Sequence, residues 1–193
     1  MKAKKRQNES ALVCSAQRGD KEALQLLLTR NWTWLKGLVY SIVVLPDQID
    51  DCLQDICVRV IRKIDTLREP ERFRPWLAVL ARREALRYRQ RRAQQPMQLH
   101  EDFAELAGDD KARQTSENLE RKELYRQISK AIRSLPEKYR QVFMLQHAGD
   151  LTYGQIAEIM DVPVTTVQIR LVRARRMIYN EVVSNNSRKV WGK

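Results

Sequence analysis

The chain is short of the residues on which most enzyme chemistry depends. Its glycines, Gly19, Gly37, Gly108, Gly149, Gly154 and Gly192, are scattered through 193 residues. No glycine-rich loop therefore exists to cradle a phosphate with backbone amides. The histidines, His100 and His147, stand far apart, and the cysteines, Cys14, Cys52 and Cys57, have neither paired disulfide spacing nor zinc-ligand grouping. Cys52 and Cys57 read as small buried hydrophobes. Asp50 and Asp51 are adjacent, but neighbours on a helix point about 100° apart and do not converge as acid and base. No catalytic residue, no metal site and no cofactor is expected; the chain is not read as an enzyme. Long apolar runs are missing too, and the basic start, residues 1–9, has no apolar core behind it for export. A cytoplasmic protein without membrane insertion is expected. Strand-period alternation and internal repeats are also lacking, and every stretch between breakers suits helix.

What the chain has is positive charge. Lys and Arg number 36 against 24 Asp and Glu, giving +12 and a pI near 9.9, a balance that favours an anionic partner. Much of it lies in one helix after Arg74, where Arg82, Arg83, Arg87, Arg89, Arg91 and Arg92 face only Glu84. Such a strip repels itself unless something anionic is near. Trp76, Leu77, Leu80 and Leu86 pack this helix inward, while Trp76 and Tyr88, beside arginines, suit unpaired bases better than a lipid surface. Before it, Ile49, Cys52, Leu53, Ile56, Cys57, Val60, Ile61 and Ile64 keep helical spacing and leave Asp51, Asp55, Arg59 and Arg62 outside. One face makes core; the other is left for a partner. Nearer the start, Asp20 caps a helix from Lys21 with Ala23, Leu24, Leu27 and Leu28 inward. Residues 32–44 form a second helix through Leu35, Leu38, Val39 and Ile42, ended by Pro46.

The most informative stretch is residues 151–178. Thr152 and Gln155 form a capping-box pattern, and Ile156, Ala157, Ile159 and Met160 give a short helix its apolar stripe. Asp161 tolerates the left-handed backbone a tight turn needs, and Pro163 cannot continue the first helix yet can open a second. On that second helix Val167, Leu171, Ala174 and Ile178 share the packing face. Thr165, Gln168, Ile169, Val172, Arg173 and Arg176 lie opposite, a set of amide, guanidinium and small apolar groups able to reach base edges, thymine methyls and phosphates. A merely solvated face would not place Ile169 and Val172 outward. The pattern is a helix-turn-helix built to enter a DNA groove.

Here a family resemblance enters. Pro163-Val164-Thr165-Thr166-Val167, Arg170-Leu171 and Arg173-Ala174-Arg175-Arg176, preceded by Ser134-Leu135-Pro136-Glu137-Lys138-Tyr139-Arg140-Gln141-Val142-Phe143, resemble the C-terminal DNA-reading domain of bacterial RNA polymerase sigma factors, most closely the extracytoplasmic-function subgroup. Asp50-Asp51, Gln54-Asp55, Arg59 and Phe73-Arg74-Pro75-Trp76-Leu77 resemble the family's other domain. The resemblance implies that Asp50, Asp51, Gln54, Asp55 and Arg59 bind the clamp helices of the polymerase's largest subunit. It implies also that Leu67, Arg68, Arg74, Trp76, Arg82, Arg83 and Arg87 capture and melt the −10 element, while Thr165, Gln168, Ile169, Val172, Arg173 and Arg176 read the −35 element in the major groove. Further partners so implied are promoter DNA, the flap of the second-largest subunit and an anti-sigma factor. The sequence departs from the family's common residues at Leu67 (Phe), Arg83 (Asn), Gln168-Ile169 (Lys or Arg, then Ser) and at Cys52 and Cys57 (Leu and Phe), so promoter preference does not transfer from a relative.

The expected architecture is all-α, two small helical domains joined by a flexible linker, the C-terminal one containing the helix-turn-helix. Residues 10–95 form the first, four-helix domain. Residues 96–117, with Pro96, Glu101, Asp102, Glu105, Gly108, Asp109 and Asp110, form an acidic linker. Residues 118–183, opened by Leu119, Leu124, Ile128, Ala131 and Ile132, form the second, and 184–193 a disordered tail. Two readings of other classes stand beside the sigma factor: a helix-turn-helix regulator acting without polymerase, and a module binding RNA or protein through the basic strip. A regulator of that kind usually dimerises to read paired half-sites, and no dimerising heptad or effector-sized domain is present.

Overall fold

The computed structural model describes residues 2–43, 46–93, 116–147 and 151–190. Among them every regular element is helical: α1 (Lys2–Gln17), α2 (Lys21–Val43), α3 (Pro46–Lys63), two 3-10 turns (Ile64–Thr66 and Pro70–Arg72), α4 (Phe73–Ala93), α5 (Ser116–Ser134), α6 (Glu137–His147), α7 (Tyr153–Met160) and α8 (Val164–Val190). The all-α expectation holds, while several boundaries move. Residues 21–43 are one helix, because Asn31 does not break it. Its fully buried amide donates to Leu27 O at 2.8 Å and its oxygen accepts Trp34 Nε1 at 2.8 Å, so a polar residue is satisfied within the helix. α1 starts ahead of residue 10; its first turns carry charge with no apolar period to betray them, and only Val13 and Ala16 reach the core. α8 continues to Val190, so residues 184–190 extend a helix and do not form a disordered tail; 191–193 lie outside the described residues. The expected linker lies outside them as well, except for 116 and 117, which open α5.

Capping follows the sequence closely. Asp20 Oδ1 accepts the amides of Glu22 and Ala23 at 3.0 Å, with Gly19 at φ +93° supplying the turn before it. Thr152 and Gln155 complete the reciprocal box, and Asp161 sits at φ 55° in the left-handed region.

α1 to α4 enclose a core of Leu27, Leu35, Leu38, Ile42, Leu53, Ile56, Phe73 and Leu77. α3 corrects the expected inner face at Ile61, which is 54% exposed while Val60 is fully buried, the step of about 100° per residue carrying it past the edge of the buried face. Val58 joins Ile61 outside. On α5, likewise, Leu124 is exposed and Ala131 buried.

The two halves are packed together. Val142, Leu145, Leu151, Ile156, Val167 and Leu171 belong to the same apolar cluster as the first core. α6 lies along α2 and α7 touches α4. The Met144 side chain of α6 lies over Gly37, where a Cβ would come 2.5 Å from Met144 Cε and push that flexible methyl aside. Arg140, almost wholly buried, reaches across from α6: its Nε donates to Ser41 O at 3.0 Å, and its Nη1 to Arg133 O at 2.8 Å and Leu135 O at 3.1 Å.

Candidate nucleic-acid and polymerase interface

α8 is built as its wheel dictates. Val167, Leu171 and Ala174 are buried and Ile178 packs partly, while Thr165, Gln168, Ile169, Val172, Arg173 and Arg176 are all exposed. Ile169 at 52% and Val172 at 64% exposure present apolar groups to water. The Tyr139 hydroxyl lies close to Arg173, and that guanidinium, with the charges of Lys138 and Arg170, pulls the tyrosine's pKa down against the upward push of burial. Tyr139, whose own ring is buried in α6, was not legible as a support from the sequence.

α4 carries its arginines in a more complicated arrangement than a bare strip. Glu84 does not lie on it but is sunk beside it, 4% exposed, with Arg59 Nε at 2.9 Å, Arg91 Nη2 at 3.5 Å and Arg87 Nη1 at 3.7 Å. Arg91 also meets Asp55 at 2.9 Å, and Arg92 meets Asp51 at 3.8 Å. Tyr88 is buried under the Arg91 and Arg92 guanidiniums at 5.7 and 5.6 Å from its ring centre, and so is not presented for stacking on a base. The acidic face of α3 and the end of α4 are thus zipped through partly exposed pairs, each worth about 0.2–1 kcal/mol. Asp50 pairs with Lys36 at 3.7 Å, and Gln54 is exposed.

The other end of the strip meets the second half. Arg82 Nε donates to Gln141 Oε1 at 3.1 Å, Arg89 pairs with Glu137 at 2.7 Å, and Arg72 with Glu158 at 2.9 Å. Burial at this contact lowers the Arg82 pKa, with Glu137 and Asp161 opposing, yet a guanidinium keeps its proton. Arg83 and Arg68 are exposed, and among the described residues Arg83 has no ion-pair partner. The segment between α3 and α4 turns several candidates inward: Leu67 is 7% exposed, Arg74 is bound to buried Glu9 at 2.9 Å, and Trp76 packs on Phe73 with ring centres 5.9 Å apart.

Cys52 is buried and its thiol is pushed up to about 12 by burial, then by Asp55 and Glu84; Cys57 is raised by burial alone. His147 ends α6, its Nδ1 2.8 Å from Phe143 O and its ring stacked on Phe143. Among the described residues no helix is long and apolar enough to cross a membrane.

Residues 27–95 match the model of sigma-70 region 2, and residues 125–178 that of sigma-70 region 4. The ECF RNA polymerase sigma-E factor of Haemophilus influenzae is 34% identical over 180 residues, covering 90% of this chain and 95% of its own length. The sigma-E factor of Escherichia coli K12 is 34% identical over the same span, 94% of its length. The chain belongs to the extracytoplasmic-function sigma factors. Two solved structures share the sigma factor's fold. One is CnrH in complex with the cytosolic domain of CnrY, 23% identical with TM-score 0.63 over 92% of this chain and 98% of that one. The other is the sigma factor RpoE in complex with the anti-sigma factor NepR from Bartonella quintana, 19% identical with TM-score 0.60 over 82% and 95%.

Proposed function

We propose that this sigma factor divides promoter recognition between its two halves, and that the exposed face of α8 carries the −35 contact. In this reading Gln168, Ile169, Val172 and Arg173 read base edges, and Thr165 and Arg176 hold the backbone. The observation that carries it is the exposure of Ile169 and Val172 between polar groups on a helix whose opposite face is buried. Arg68, Arg82, Arg83 and Arg87 take the −10 element, with Leu67, Arg74 and Trp76 shaping the surface from beneath. Opening is a binding process with no covalent step: unpaired bases trapped on basic surface offset the few kcal/mol of lost stacking. Because α6 and α7 engage Arg82, Arg89 and Arg72, the halves part before the whole of α4 meets DNA.

Core RNA polymerase and promoter DNA are the sigma factor's partners. Asp50, Asp51, Gln54, Asp55 and Arg59 are proposed to receive the clamp helices of the largest subunit, and the second half the flap of the second-largest. The exposed apolar pair Val58 and Ile61 borders that acidic face and adds contact area to it. An anti-sigma protein is included as a regulator, with the cytoplasm as the place of action and no catalytic role of its own. The test is reconstitution. Core polymerase with this chain is expected to open promoter DNA, read by permanganate reactivity of unpaired thymines, and the chain alone is not. D51K with D55K should weaken core association while leaving helicity intact. Opening by the isolated chain, or unchanged core affinity in the double variant, overturns the assignment.

A further inference from the structure

α1 lies outside the residues matched to region 2, which begin at 27, yet it grips both ends of the segment joining α3 to α4. At one end Gln17 Nε2 donates to two backbone carbonyls at once, Ile64 O at 2.9 Å and Leu67 O at 2.7 Å. These close the first 3-10 turn, where Leu67 N also returns to Ile64 O at 3.1 Å. Both acceptors are carbonyls, so only the amide's donor side suits the place. At the other end Glu9 binds Arg74 Nε through both oxygens, at 3.2 and 2.9 Å, and accepts Asn31 Nδ2 at 3.2 Å. Glu9 is 8% exposed and Asn31 fully buried, and Asn31 is fixed in turn by Leu27 O and Trp34. Val13 and Ala16, on the helix between Glu9 and Gln17, are buried in the core, which sets the spacing between the two grips.

What remains between the pinned ends is Arg68, Glu69, Glu71 and Arg72, all exposed, on backbone that is extended at Leu67 and Glu69 and returns to a 3-10 turn at Pro70. Such a short irregular stretch has no ladder of its own to set its shape. Its geometry is therefore borrowed from side chains that satisfy its carbonyls and anchor its exit.

We infer that Gln17 and Glu9 are positioning residues for −10 recognition: they fix the segment 64–74 in the one conformation that presents Arg68 and the start of α4 to an unpaired base. The inference rests on the proposal that this segment meets the −10 element. Neither residue touches DNA. Both act through the backbone of Ile64 and Leu67 and through Arg74. A captured base is discriminated by fractions of an ångström, so a loosened segment loses preference before it loses binding.

The test uses the full chain with core polymerase and a promoter pool randomised separately at −10 and at −35. Gln17→Met keeps the length of the side chain and deletes the donor; Glu9→Asp keeps the charge and shortens its reach. Each is expected to flatten base preference at −10 roughly fivefold to tenfold, the weight of one net hydrogen bond. Preference at −35 and core affinity should stay at wild-type values, and amide exchange should quicken within 64–72 only. Arg68→Ala, on the exposed part of the segment, serves as the control. If it alters −10 preference and neither α1 variant does, or if both α1 variants lower activity uniformly with preference intact, Gln17 and Glu9 are merely structural and the inference falls by itself. If Arg68→Ala also leaves −10 preference untouched, the segment is not the −10 surface and both readings fall.

Discussion

Arg140 offers the sharpest test of how the two halves are held. Replacing it by methionine keeps the apolar stem and removes every donor. Three carbonyls lose a partner, Ser41 O across the contact and Arg133 O and Leu135 O within the second half. A hydrogen bond from a charged group is worth about 1.5–3 kcal/mol, but the full sum overstates the loss. Burial already disfavours the charged guanidinium, as its lowered pKa records, and methionine does not carry that cost. A net loss of about 3 kcal/mol follows, of which about 1.5 kcal/mol belongs to the Ser41 bond. For a chain of this length the melting temperature should fall by roughly 6–12 °C. The ratio of parted to packed molecules should rise about tenfold, seen as a larger radius of gyration in small-angle scattering at temperatures well below the melt. Arg140→Lys should fall between, since one ammonium cannot span all three carbonyls. A methionine variant that melts within about 1 °C of wild type with an unchanged radius would refute the reasoning.

Arg173→Ala should cost about 1–3 kcal/mol at one or two −35 positions and relax preference there, whereas Arg176→Ala should weaken all sequences alike and lower the salt slope by about one; quantitative footprinting of variant promoters by the holoenzyme separates the two. Arg83→Asn should change which base is preferred at −10 while leaving −35 reading intact, because a guanidinium stacks and pairs bidentately where an amide does not; uniformly lower activity with the same preference would make Arg83 a phosphate contact. Cys52, raised from 9.0 to about 12, should resist alkylation in the folded chain at neutral pH. The sign of its effect on stability is fixed: the unfolded thiol ionises from about 9 while the folded one stays protonated, so its contribution is intact below 9 and is lost as pH climbs toward 12. Denaturant midpoints of wild type and C52A across that window should converge or cross, and parallel curves would contradict the assignment.

The fold was largely readable because its signals are local. Thr152 and Gln155 stand just ahead of an apolar stripe, where that pair makes a cap, and Asp161 followed by Val162-Pro163 leaves the chain little choice but to turn. Errors arose where burial in three dimensions overrode the linear pattern. The stretches before and after Asn31 are one helix because its amide is satisfied by Leu27 O and Trp34. Ile61 looks like core, but it lies about 100° round the helix from buried Val60 and falls outside the packed face. The charged start of α1 has no apolar period, and its role emerges only once Gln17 lies against Ile64 and Leu67.

The site was readable to a lesser degree, for a reason that bears on how it works. Sequence shows which residues carry charge but not which charges are already answered. By its sequence the row from Arg82 to Arg92 needs an external anion, yet Glu84, Asp51, Asp55 and Glu137 supply internal ones to Arg87, Arg91, Arg92 and Arg89. Those pairs are neither uniform nor equally strong. Arg59 and Arg91 hold a carboxylate that is buried and cannot be re-solvated cheaply, whereas Arg89 and Glu137 meet at a surface between two halves and part with them. If α4 takes the −10 element as proposed, DNA meets a graded series: Arg83, with no ion-pair partner among the described residues, then Arg82 and Arg89, released when α6 lifts away, and last the arginines around Glu84, which stay engaged. On the proposed reading the internal acids compete with DNA for these arginines, and separation of the halves frees Arg82 and Arg89 in particular.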